Sequence, residues 1–254
     1  MFDDTTTAKW AIPQYVNICL TDRHGGFSSK PFDSFNLGDH VGDQPEIVRK
    51  NRALLTSHLP SEPVWLHQVH GCEVFDVDDW DGHSVPTADA AIATKVNQVL
   101  AIMTADCLPV LLSTVDGMII GAAHAGWRGL ASGVIERTVQ AMQTKMTTND
   151  DSKRAIRAYL GAAIGPKSFE VGEEVRNIFV AHDSHAAKSF EPSPQIGKYM
   201  ADIYGLAKLR LNALGIHEIY GGQDCTYQNK NLFSYRRDHV TGRMANLIWI
   251  KNSR

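Results

Sequence analysis

Apolar residues along this chain fall into short runs of strand length, broken by a few stretches in which they recur at helical spacing. Residues 15–21 read as a buried strand that runs into His24-Gly25-Gly26, a turn whose glycines reach backbone geometries closed to other residues. A polar loop follows, up to Asp43. Pro45 suits the first turn of a helix in which Ile47, Val48, Leu54 and Leu55 share a face, and Pro60 stops it. Short strands are expected at 64–66, 73–77 and 90–94, with the acidic stretch 76–81 as a surface loop.

The central block is the most regular. Residues 99–103, 110–113 and 118–123 are apolar runs expected in one buried sheet, and Asp116-Gly117 between the last two signals a hairpin. After Gly126 the period changes: Leu130, Val134, Ile135, Val139 and Met142 form one apolar face of a helix, with Glu136 and Arg137 outside it. Residues 147–153 have loop composition. A strand is expected at 155–164, a helix from near Val171, and a helix over 199–214 closed by Gly215. Strands at 218–220, 232–235 and 244–250 complete the pattern.

Composition narrows the function classes. With 254 residues, 43% hydrophobic and 21% charged, the chain reads as a soluble globular protein, expected as one domain over 1–254. A net charge of −3 offers no basic footprint for nucleic acid. Met1-Phe2-Asp3-Asp4-Thr5 shows no basic stretch leading into an apolar core, and no run of 18 apolar residues occurs, so no membrane role and a cytoplasmic location are expected. Cys19, Cys72, Cys107 and Cys225 are scattered without a paired spacing, which argues against a disulfide scaffold.

Three strand ends carry the candidate chemistry. His70, before Gly71, can point an imidazole into a cleft, whereas His67 lies on the opposite face of a regular strand; a surface histidine is the plainer reading of either. Cys107 follows Asp106 at the end of an apolar run, and a carboxylate there needs solvent, a partner or a hydrogen bond. His124 leads through Ala125-Gly126 into a helix opening at Trp127-Arg128-Gly129, a place suited to an anion. Two histidines and a cysteine match a zinc site with one position open to water, which would lower the pKa of that water to roughly 7. The same residues also suit a Cys107 thiolate with His124 as its base. Spacing leaves both open.

The segments His67-Gln68-Val69-His70-Gly71, Ala88-Asp89-Ala90, Ala105-Asp106-Cys107, His124-Ala125-Gly126-Trp127-Arg128-Gly129 and Phe233-Ser234-Tyr235-Arg236-Arg237-Asp238 resemble the signatures of the YfiH/YlmD family. Those proteins were formerly called multicopper polyphenol oxidases or laccase-domain proteins and are now regarded as purine nucleoside phosphorylases. The resemblance spans nearly the whole chain, from His24-Gly25-Gly26 and Asn36-Leu37-Gly38 to Thr241-Gly242-Arg243. It implies an α/β (α+β) domain with mixed β-sheets packed between helical layers, and zinc on His70, Cys107 and His124. It also implies phosphorolysis of adenosine, inosine, guanosine and S-methyl-5'-thioadenosine, together with deamination of adenosine. Many members of that family carry a cysteine after the segment matching Ile164-Gly165-Pro166, where this chain has Lys167-Ser168.

Those activities assign further roles. Asp106 is a candidate proton donor for departing ammonia, or else a residue that orients a ligand or caps a turn. Arg128, Arg236 and Arg237 are candidates for phosphate, which guanidinium binds through two hydrogen bonds. Asn36 and Asp89 are candidates for ribose or base, with turn formation as their other use. A four-copper oxidase needs repeated His-x-His pairs, and none of the 11 histidines are two apart, so Cu2+ is expected only as an adventitious or alternative ion. A cysteine-dependent amide hydrolase using Cys107 and His124, and a nonenzymatic nucleoside sensor, are the competing classes.

Overall fold

The computed structural model describes residues 7, 9–147, 150 and 154–252. β1 (Val16–Leu20) leads through a long loop to α1 (Pro45–Thr56), then β2 (Val74–Asp76), β3 (Ala90–Ala93) and β4 (Val99–Thr104). The hairpin β5 (Leu108–Thr114) and β6 (Ile120–Ala125) is followed by α2 (Trp127–Ala131), α3 (Val134–Thr144) and β7 (Ile156–Leu160). β8 (Glu170–Gly172), α4 (Glu173–His182), β9 (Phe190–Pro192), β10 (Lys198–Ala201) and α5 (Ile203–Ala213) come next. β11 (Ile219–Gly221), α6 (Tyr235–Asp238) and β12 (Met244–Ile250) end the series.

The strands form three sheets. The largest runs β11-β7-β5-β6-β3-β2 and is mixed, with parallel pairs at its two edges and antiparallel pairs between. One of its faces, with Val110, Leu112, Ala123 and Ala158, packs on Ile135, Val139 and Met142 of α3 and Leu206 and Leu211 of α5. The other face, with Ala91, Leu111, Ile120 and Tyr159, packs on Leu100, Ile102 and Ile248 of the antiparallel sheet β1-β12-β4. That second sheet covers Leu55 of α1 together with Phe35 and Leu37 on its far side. The period of two makes this layering: in β4, Leu100 and Ile102 face one layer, and Val99, Ala101 and Met103 the other. The result is an α/β fold of mixed sheets between helical layers. The small sheet β8-β10-β9 is separate.

Several expectations are corrected. β4 leaves the sheet of β5 and β6 and pairs with β12, Thr104 facing Met244. The helix after Gly126 is two helices, because Gly133 takes a left-handed φ of 89° between them; all five residues of its expected apolar face are still buried. Residues 64–66 make only an isolated bridge, Val64 to Leu100, and the acidic loop contains a 3-10 turn at Val77–Asp79. Residues 170–172 and 198–201 are strands where helix starts were expected, since each satisfies its backbone against the other. Residues 232–235 are not a strand: Phe233 is a buried core plug, and Ser234 caps α6 by accepting from the Arg237 N–H. The polar linker 147–153 lies largely outside the described residues. Among those residues, no helix is long and apolar enough to cross a membrane.

Candidate metal centre

The large sheet places two of the three candidate ligands. In the β5–β6 hairpin Pro109 stands opposite His124, so Cys107, just before β5, lies beside the C-terminal end of β6. Asp106 reaches that position with a φ of 91°, and its carboxylate accepts from Thr226 Oγ1 and from the Arg236 N–H, each at 2.6 Å. The third candidate ligand comes from a loop. His70 itself, rather than Gly71, adopts the left-handed backbone, with a φ of 61°, a conformation that costs a non-glycine residue about 1–3 kcal/mol.

Asp89, just before β3, offsets that strain. Its carboxylate is buried and accepts from the N–H groups of Val69, His70 and Gly71 at 3.1, 2.9 and 2.7 Å. It also accepts from His124 Nδ1 at 2.8 Å, while the His124 N–H donates to the Asp89 carbonyl at 2.7 Å. Burial alone would raise the Asp89 carboxyl, but His124 and the backbone donors outweigh it and hold its pKa below the usual value. One carboxylate thus fixes both the His70 loop and the His124 ring.

The ligand atoms of His70, Cys107 and His124 all lie within 4.8 Å of one another. Cys107 Sγ is 3.8 Å from His70 Nε2, and the two imidazoles meet edge to face with centroids 4.8 Å apart. Burial pushes the Cys107 thiol up, yet His124 and His70 bring it down to about 6. Burial likewise lowers His124, while the Cys107 sulfur and the Asp89 carboxylate raise it to about 9. Small residues keep this space clear. A Cβ on Gly126 would stand 2.9 Å from Cys107 Sγ, and one on Gly129 would stand 2.7 Å from the Gly71 carbonyl.

The triad opens on a cavity of about 580 Å³ whose walls include Gln68, Phe169, Tyr235, Arg128, Arg236 and Arg243. Arg128 and Arg236 reach it, and so does Asp106. Three other expected residues are used elsewhere. Asp89 stands behind the ligands with its oxygens occupied. Asn36 is fully buried, its amide bonded to Gly38, Asp43 and the Arg243 N–H. The Arg237 guanidinium staples the 226–232 loop through the carbonyls of Thr226, Tyr227, Asn229 and Leu232. His67 sits away from the cluster, near Thr87. Sequence reasoning missed Gln68, whose amide exchanges two hydrogen bonds with Met103, and Arg243; their one signal was membership of quoted motifs.

Residues 17–251 match the family described as multi-copper polyphenol oxidoreductase laccase. The protein from Escherichia coli called purine nucleoside phosphorylase YfiH is 47% identical over 245 residues, 95% of this chain and 97% of that one. The chain belongs to the YfiH/YlmD family. A further member, from Pseudomonas aeruginosa and also called a purine nucleoside phosphorylase, is 45% identical over 247 residues, 97% of this chain and 98% of its own. Solved structures share the fold: Neisseria meningitidis NMB0706 has a TM-score of 0.88 at 41% identity, covering 99% of both chains. Geobacillus stearothermophilus YlmD has a TM-score of 0.80 at 30% identity, covering 94% of this chain and 93% of that one.

Proposed function

We propose that this chain is a zinc-dependent purine nucleoside phosphorylase acting on adenosine, inosine, guanosine and S-methyl-5'-thioadenosine, that it also deaminates adenosine, and that it works in the cytoplasm as one catalytic domain. One observation carries the reading: a His-Cys-His donor set, held by Asp89, opens on a cavity walled by three guanidinium groups. The names of relatives at 45–47% identity support phosphorolysis of purine nucleosides.

Zinc fits the donor set, since two imidazoles and a thiolate are the ligand number of an open catalytic site. With His124 Nδ1 committed to Asp89, Nε2 is the ring nitrogen left for the ion. The chemistry supplied there is Lewis acidity, which lowers the pKa of a coordinated water to roughly 7. Cu2+ is accepted by the same donors as an alternative ion.

The remaining work belongs to the cavity walls. In phosphorolysis an oxygen of inorganic phosphate bonds to C1' of the ribose, the bond from C1' to N9 breaks, and its electron pair leaves on the purine, which takes up a proton. Guanidinium groups of Arg128 and Arg236 stand where they can hold that phosphate. Phe169 and Tyr235 give the cavity aromatic surface for a purine. In deamination water adds at C6 and ammonia leaves. Of the roles open to Asp106, capping a turn is the better supported, because its oxygens already hold Thr226 and the Arg236 backbone.

A second reading has one arrangement in its favour. Cys107, His124 and Asp89 stand in the order nucleophile, base and carboxylate, as in a cysteine-dependent amide hydrolase. The polyphenol oxidase reading has less, since one ligand cluster occurs among the described residues and a four-copper pathway needs more. Incubation with adenosine and phosphate, followed by chromatography, separates these classes. Adenine with ribose 1-phosphate marks phosphorolysis, and inosine with ammonia marks deamination. No turnover of any purine nucleoside overturns the proposal, and ammonia from an amide, lost in Cys107→Ser, favours the hydrolase.

A further inference from the structure

The three guanidinium groups on the cavity wall are not equivalent. Arg128 is exposed and lies over the Trp127 ring, 4.5 Å from its centroid. Arg236 donates from Nη1 and Nη2 to the Ser168 and Glu170 carbonyls at 3.4 and 3.1 Å. Arg243 differs from both. Its Nη1 donates to the Thr241 and Gly242 carbonyls, each at 3.0 Å, while among the described residues Nε and Nη2 meet no acceptor and no carboxylate pairs with the group.

Its position is tightly set. Because β12 runs antiparallel to β4 with Met244 opposite Thr104, Arg243 emerges beside the Ala105-Asp106-Cys107 turn. Its N–H donates to Asn36 Oδ1 at 2.9 Å, and its carbonyl accepts from the Leu37 N–H at 3.1 Å. A Cβ on Gly38 would come within 2.7 Å of Arg243 Cγ, so the stem fills the space that glycine leaves. The one carboxylate on the cavity wall, Asp106, has both oxygens engaged elsewhere. A partly buried guanidinium that feels the charges of Cys107 and Asp106 but is hydrogen-bonded to neither keeps two donor positions for an anion.

We propose that Arg243 forms an oxyanion subsite beside the metal centre, taking a tetrahedral phosphate through Nε and Nη2. The ligand is free inorganic phosphate rather than the phosphate ester of a nucleotide, a choice that rests on the phosphorylase reading above. Asn36, expected from sequence to touch substrate, acts instead by holding the Arg243 backbone.

Arg243→Met and Arg243→Lys test this, each compared with wild type for far-ultraviolet spectrum and metal content. Inorganic phosphate raises the melting temperature of the wild type, and the shift is lost in Arg243→Met. With inosine as substrate, the phosphate KM rises about tenfold to hundredfold in Arg243→Met, and the inosine KM stays within about threefold. Arg243→Lys keeps the charge but not the fork, so it falls between, and it carries the test where Arg243→Met does not fold. A wild-type response to phosphate in the variants overturns the subsite. A thermal shift with adenosine 5'-monophosphate and none with inorganic phosphate overturns the choice of ligand. If wild type turns over no purine nucleoside yet is stabilised by phosphate through Arg243, the phosphorylase reading falls and the subsite stands.

Discussion

Replacing Asp89 by Asn alters the point at which the metal centre is held together. Oδ2 accepts from the Val69 and Gly71 N–H groups, and Oδ1 accepts from the His70 N–H and from His124 Nδ1. An amide has one oxygen and one NH2, so two of these donors lose their acceptor in one orientation and one does in the other. With the NH2 at the Oδ2 position, the Val69 and Gly71 N–H groups face another donor. With it at the Oδ1 position, the His70 N–H is orphaned and His124 is driven to the tautomer that carries its proton on Nε2, the nitrogen proposed for the ion. A hydrogen bond to a charged acceptor contributes about 1.5–3 kcal/mol, so losing one or two costs about 1.5–6 kcal/mol. In a chain of this length that lowers the melting temperature by about 3 °C or more. Metal affinity falls about tenfold to hundredfold. Thermal unfolding and chelator competition measure the two effects. An Asp89→Asn protein that melts within about 1 °C of wild type and keeps zinc equally well against the chelator refutes the clamp.

Gly126→Ala sets a methyl group 2.9 Å from Cys107 Sγ and 3.2 Å from His70 Cδ2; turnover falls about a hundredfold while the far-ultraviolet spectrum is unchanged, as steady-state kinetics will show. Leu111→Ala empties space between the two large sheets, where Leu111 is fully buried, and lowers unfolding stability by about 2–5 kcal/mol in urea titration. Asp78 accepts from the Thr94 N–H and Oγ1 at 3.0 and 2.6 Å, and these donors with Lys145 outweigh burial to hold its carboxyl below the usual value. Its stabilisation is therefore complete above the unfolded carboxylate pKa of about 4 and fades as pH falls through the lower folded value. The gap in urea midpoint between wild type and Asp78→Asn is full at about pH 6 and narrows toward about pH 3.

Local patterning revealed the elements better than their partners. The runs that became β5 and β6 carry their own hairpin turn, whose Gly117 has a φ of 72°, so both their limits and their pairing were legible. The run that became β4 is equally apolar, but its partner β12 lies far away in sequence and leaves no local trace. The start of α5 was misread for the same reason: Tyr199 pairs with Val171 and Pro192, and those contacts override the helical spacing. At the site, Cys107 and His124 were legible because each stands at an end of an apolar run within two residues of proline or glycine, and His70 because Gly71 follows it. Asn36, Asp89 and Arg237 were read as facing substrate because a polar side chain in a loop looks the same whether it binds a ligand or its own backbone. Arg243 was missed because one cation before a strand is unremarkable until its neighbours are known.

The most direct measurement is phosphorolysis against metal occupancy. Protein freed of metal by chelation is titrated with zinc, and ribose 1-phosphate formed from inosine and phosphate is followed. The expected rate rises linearly and levels off at one equivalent, with no response in His70→Ala, Cys107→Ala or His124→Ala. Full activity in the metal-free protein, or a plateau reached only with several equivalents of copper, contradicts a single zinc on these three residues.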